Sequence, residues 1–193
     1  MCYSFRSSVT TFLIAMLTVY FMYLRQTSVD KYIAPLIFVY GFMQFAEALM
    51  WYDKKCGKIN KIGTFMAYII LILHVLAIGI GIYIVEKRYH GIILGLIVFL
   101  FYLFKLPKIN CSKYKNGSMY WGFDTSFYRN VFAGSVLLAG FLSSMELKYK
   151  IILISWYVIS WLYFFKKQYN IVDYFNGYDK NKISSLWCHI ASL

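Results

Sequence analysis

Few residues in this chain can do chemistry, and the most informative lies inside an apolar run. Glu47 sits about four residues short of the Tyr52-Asp53 boundary that ends its run. An ionised carboxylate at the bilayer centre costs roughly 2.5–3.5 kcal/mol, and less towards an interface, so such a group faces protein or a water-filled cavity. Tyr40, Gln44, Glu47 and Trp51 are spaced 4, 3 and 4 apart, which puts them on one helix face. The stripe admits two chemistries. Glu47 could bind a proton or cation in a cavity. Alternatively it is protonated, or bonded to Gln44 or a tyrosine, and fastens helices, or sits shallow enough to reach cytoplasmic water. His74 falls near the middle of the next apolar run. Histidine titrates near neutrality, so His74 could relay protons with Glu47, although the two differ in expected depth by several ångströms, and a lone buried histidine satisfied by a hydrogen bond is the plainer reading.

The second set is Cys2, Cys56, Cys111 and Cys188, all expected on one membrane face beside the ends of apolar runs. In a reducing compartment they stay thiols, open to palmitoylation or to convergence on zinc. No CxxC pair is present, so the zinc signal is weak. If that face is exterior, two disulfides become possible, and four cysteines allow three pairings. Cys188-His189 is the one adjacent nucleophile and base, but neighbours on a helix point apart. There is no GxSxG, Walker loop, HExxH or pair of carboxylates. No soluble-enzyme constellation is present, whether the chain is an enzyme is left open, and no cofactor or metal is expected.

The elements that position these residues follow from composition. Hydrophobic residues make up 61% of the 193 and charged residues 15%, where soluble domains run at roughly 45–50% and about 25%. Six runs read as transmembrane helices: residues 9–24, 32–52, 63–85, 89–106, 131–145 and 150–165. The first, fifth and sixth are short against the ~20 residues a crossing needs. The aromatic stretch 119–128 is an alternative start for the fifth. Residues 20–23 are Tyr, Phe, Met and Tyr, where a signal-peptide cleavage site needs small side chains, so the first run reads as a retained span. Residue 2 is not the glycine of a myristoylation signal, and Cys188 is not placed for prenylation.

The expected fold class is all-α: a polytopic bundle over residues 1–167, with a tail over 168–193. In that tail Ile183, Leu186, Trp187, Ile190 and Leu193 recur at helical spacing, an amphipathic helix too short to cross. Small residues four apart would allow close helix packing: Gly91 with Gly95, Ala77 with Gly81, and Ser135, Ala139 and Ser143. The sixth run carries Ser155, Trp156, Ser160, Trp161 and Tyr163, which read as packing or interfacial anchoring rather than a ligand cage. No internal repeat is evident, which argues against an inverted-repeat transporter.

The net charge is +12, yet the basic residues lie in short clusters between apolar runs, as loop anchors do, so nucleic acid is not the expected partner. The expected partners are the bilayer and a second copy or another membrane protein. Fourteen of the 20 Lys and Arg fall on the face shared by both termini, a bias that places the termini in the cytoplasm. Asn110-Cys111-Ser112 and Asn116-Gly117-Ser118 are glycosylation sequons on that same face and would be silent there.

The opening Met1-Cys2-Tyr3-Ser4-Phe5, the stretch Gln44-Phe45-Ala46-Glu47-Ala48-Leu49-Met50-Trp51 with Cys56 and Asn60 after it, and the closing Ser185-Leu186-Trp187-Cys188 together resemble a family of small, uncharacterised multi-pass membrane proteins of large DNA viruses. The blocks cover 19 of the 193 residues. The resemblance implies a polytopic topology in a host or virion membrane and no known reaction. It marks Gln44, Glu47, Trp51 and the cysteines as family features without assigning them chemistry. Three function classes follow in order: a structural or interaction protein of a membrane, a small channel or transporter using Glu47, and, last, a lipid-modifying enzyme.

Overall fold

The computed structural model describes residues 4–104, 106, 108–115, 118–123, 143–144, 146–148, 150–151 and 154–155. Within them lie four helices followed by a two-stranded hairpin. Helix α1 (Phe5–Arg25) starts at Ser4, whose hydroxyl accepts from the Ser7 amide at 3.2 Å, and ends at Gln26 in the left-handed conformation. It is 21 residues long, against the 16 of the purely apolar run. The added first turn is polar but helical, because the Ser4 hydroxyl satisfies its free Ser7 amide. At about 1.5 Å per residue the helix covers a bilayer core of ~30 Å, so the first crossing is of ordinary length.

Helix α2 (Ser28–Tyr52) follows two residues later. Thr27 and Asp30 form a capping box, the Thr27 hydroxyl accepting from the Asp30 amide at 3.2 Å and the Asp30 carboxylate from the Thr27 amide at 3.1 Å. Helix α3 (Lys58–Glu86) begins at Gly57, which has no side chain to cap with. Asp53 supplies the cap instead, accepting from the Gly57 amide at 3.1 Å and the Asn60 amide at 3.2 Å. Helix α4 (His90–Phe104) has 15 residues. Helices α1, α2 and α3 are each long and apolar enough to cross a membrane, so the chain is membrane-embedded. The α4 helix is apolar but shorter.

Consecutive helices pack antiparallel, and glycine sets how closely. Gly91 touches the backbone of Gly79, and Gly95 lies against the backbone of Leu76, so the 91/95 pair closes α4 onto α3. Gly81 faces the Tyr32 backbone and joins α3 to α2. Gly63 on α3 faces the Ala46 carbonyl, and Gly41 on α2 lies beneath Ala15 and Met16 of α1. A β-carbon at Gly63 or Gly95 would come within 2.8 Å of backbone, nearer than helices carrying side chains can approach.

After α4 the chain folds back over the α2–α3 junction. Strands β1 (Lys113–Lys115) and β2 (Ser118–Tyr120) pair antiparallel, with Tyr114 opposite Met119. Met119, Trp121 and Phe123 are each at most 4% exposed and join Met50, Tyr68 and Tyr102 in the core. Their alternation is that of a strand burying one side. Residues 119–123 are therefore no helical start for the fifth span, and the rest of the stretch, 124–128, lies outside the described residues. Apart from Ser143 and Ser144, the fifth run lies outside the described residues. Of the sixth, residues 150–151 and 154–155 are described and helical. The tail at 168–193 also lies outside them, with Cys2 and Cys188.

Candidate functional site

The stripe on α2 is buried as its spacing predicts: Gln44, Glu47 and Trp51 are 2%, 0% and 3% exposed. Tyr40 continues it towards the middle of the helix, and His74 joins it there. The His74 ring stands edge-on to Tyr40 with centroids 4.8 Å apart. Its Nδ1 lies 2.7 Å from the Ile70 carbonyl. A carbonyl only accepts, so Nδ1 carries the proton in this bond. His74 thus meets the stripe about 10 Å along α2 from Glu47, seven residues away at ~1.5 Å each. Direct exchange of a proton between their side chains is not the arrangement built here.

Gln44 stands one turn from Glu47, and among the described residues neither its amide oxygen nor its amide nitrogen has a hydrogen-bond partner. Buried amides without partners are rare, because each orphaned group costs about 1–3 kcal/mol. Two polar groups on one face thus sit in the apolar interior, one of them with donors and acceptors unused among the described residues.

The stripe is closed at its Trp51 end by the folded-back segment. Tyr114 of β1 packs on the Trp51 ring at 5.0 Å. Lys54 lies over both rings, at 5.1 and 5.4 Å. Beneath this lid is a polar cluster centred on Asn60, Thr64 and Ser112, all at most 1% exposed. Asn60 and Ser112 exchange two bonds: the Asn60 amide donates to the Ser112 carbonyl at 3.0 Å and accepts from its N–H at 2.8 Å. The Asn60 side chain so imitates a paired strand. It also donates to the carbonyls of Met50 at 3.3 Å and Asp53 at 3.1 Å, which end α2. Thr64 shares a 2.9 Å hydroxyl contact with Ser112, and Ser112 in turn accepts from the Gly122 amide at 3.2 Å. Beside the cluster, Cys56 and Cys111 form a disulfide with Cα atoms 5.4 Å apart.

For Cys56 and Cys111 that bond takes up the disulfide alternative that the sequence leaves open beside free thiols. The sequence brings Cys56 and Cys111 near the same membrane face, and the Asn60–Ser112 pairing holds the two segments together beside the bond. With both sulfurs joined, neither is open to palmitoylation or zinc. Among the described residues no group of three or more His, Cys, Asp or Glu is placed to hold a metal.

Sequence reasoning missed the Asn60–Thr64–Ser112 cluster as a unit. The signals were present: Asn60 and Thr64 are four apart, and Asn116-Gly117 is the dipeptide favoured in two-residue hairpin connections. It also missed a polar tie at the opposite end, where Glu86 accepts from the Tyr32 hydroxyl and from the Ser144 amide. No protein-family model, curated protein or solved structure matches the chain.

Proposed function

We propose that this chain is a structural or interaction protein of a membrane, a helical bundle whose rigid cap presents a fixed face to a neighbouring copy or another membrane protein. The observation that carries this reading is the cap. Its buried polar groups, Asn60, Thr64 and Ser112, are spent on one another and on helix ends, and a covalent bond fixes their edge. A face that must open to pass a solute is poorly served by such ties.

Six crossings fit this proposal. Phe123 packs on Tyr68 with ring centroids 5.5 Å apart, and Ser144 bonds to Glu86. These contacts lie eighteen residues apart along α3, about 27 Å at ~1.5 Å per residue. A separation of that size between the two described contacts supports the reading of a fifth crossing, with a sixth after it.

Orientation has two opposing signals. The Lys and Arg bias favours cytoplasmic termini. The disulfide favours an oxidising compartment for the face that the N-terminus shares with Cys56 and Cys111. We give the disulfide more weight, because an oxidised pair requires an oxidant, whereas the chain's lysine excess accompanies a general richness in Phe, Tyr, Ile and Asn that reflects AT-rich codons. The three sequence blocks support placing the chain among the small multi-pass membrane proteins of large DNA viruses, and its membrane is then a host or virion one.

The second reading, a channel or transporter using Glu47, is favoured by the amide of Gln44 beside it, which has no hydrogen-bond partner among the described residues. One experiment separates the two. The full chain is reconstituted in liposomes loaded with pH- and cation-sensitive dyes, alongside Glu47→Gln. The structural reading expects no flux above empty liposomes and a Glu47→Gln protein that assembles normally. Flux lost in Glu47→Gln would establish the transport reading instead.

A further inference from the structure

A groove of about 540 Å³ opens between α1, α2 and α3 at the end of the bundle opposite the cap. Its walls are apolar and include Val19, Met22, Ala34, Phe38 and Leu76. Along α3 it runs from Leu73 to Ile84, about 16 Å at ~1.5 Å per residue. That is close to half of a ~30 Å hydrocarbon core, the depth of a single leaflet. Its volume lies within the ~300–1,000 Å³ of ordinary ligand sites.

Besides the phenol of Tyr23, the polar residues on the groove are Gln26, Asp30 and Lys31. The Asp30 carboxylate is already matched. It accepts from Arg25 Nε at 2.8 Å and from Arg25 Nη2, and from the Thr27 hydroxyl at 2.6 Å. Arg25 is occupied by the same contact. Lys31 forms no ion pair among the described residues, so its ammonium is the uncompensated charge on the groove.

We propose that this groove binds an anionic glycerophospholipid, one acyl chain lying along the α1–α2–α3 walls and the headgroup phosphate held by Lys31. The groove's length selects an acyl chain, and the lysine selects the charge.

The test uses the full chain in nanodiscs of phosphatidylcholine with a minor fraction of phosphatidylglycerol. The protein is then extracted gently, and retained lipids are counted by native mass spectrometry. Wild type should retain phosphatidylglycerol in preference to phosphatidylcholine. Lys31→Gln should lower that preference about fivefold, what one lysine contributes toward an anionic lipid surface, and Lys31→Arg should keep it. Ala34→Phe, which fills the groove, should lower retention of both lipids. If Ala34→Phe does not fold, the two Lys31 variants decide alone. Three results would each overturn the proposal: no preference in wild type, a preference unchanged in Lys31→Gln, or an equal loss in Lys58→Gln at the opposite end.

Discussion

Asn60 is the residue on which the cap depends, and Asn60→Ala measures how much. Its side chain takes part in five hydrogen bonds, to Met50, Asp53, Thr64 and, twice, Ser112. The partners do not suffer equally. The Ser112 N–H retains a second acceptor, the Thr64 hydroxyl at 3.2 Å. The buried Ser112 carbonyl loses the donor that Asn60 gives it. One orphaned buried carbonyl costs about 1–3 kcal/mol, and each remaining bond contributes about 0.5–1.5 kcal/mol net. Because several of the five share one amide, we take ~3 kcal/mol as the loss to local stability of the cap. The readout is hydrogen exchange at the Ser112 amide in the reconstituted full chain. Its exchange follows local opening, so ~3 kcal/mol corresponds to about a hundredfold acceleration. Asn60→Asp keeps the acceptor for the Ser112 N–H but loses the donor, and should accelerate exchange comparably. Reducing the disulfide should compound the effect, since Cys111 precedes Ser112 and both ties hold the same segment. Exchange at Ser112 that changes less than about threefold in Asn60→Ala would refute the account of the cap as a hydrogen-bonded unit.

Further outcomes follow from other contacts. Cys56 and Cys111 should resist a membrane-impermeant maleimide until a reductant is added; labelling of both without reductant would show that the bond does not form in the cell. Closing the loop between them, a separation of 55 residues, contributes at most about 4 kcal/mol on chain-entropy grounds, and Cys56→Ser should lower resistance to detergent unfolding by no more than that. Gly79→Val should cost at least ~1–3 kcal/mol in the same unfolding assay, because the added β-carbon meets the Gly91 backbone, which has little room to yield; an unchanged midpoint would mean that α3 and α4 are not held this closely. Thr27→Val removes the hydroxyl that caps α2 and should cost about 1 kcal/mol, read as faster amide exchange in the first turn of α2.

What the sequence determined by itself was the solvent and the faces. Apolar runs long enough to cross a bilayer need no tertiary partner to be recognised, because the lipid imposes their length and their unbroken hydrophobicity. The burial of Gln44, Glu47 and Trp51 was legible for a similar reason: a helix repeats every 3.6 residues wherever it packs. The joining of Cys56 to Cys111 was not legible, since proximity in sequence to one membrane face leaves three pairings open. Beside the bond Asn60 and Ser112, 52 residues apart, pair side chain to backbone like strands and hold the two segments together. The hairpin was missed because its apolar residues alternate over only a few positions, Met119, Trp121 and Phe123, within a stretch aromatic enough to pass for a helix start. Helix faces are set locally by backbone periodicity. The cap, the disulfide and the groove beside Lys31 are set by which distant segments meet, and only the folded chain decides that.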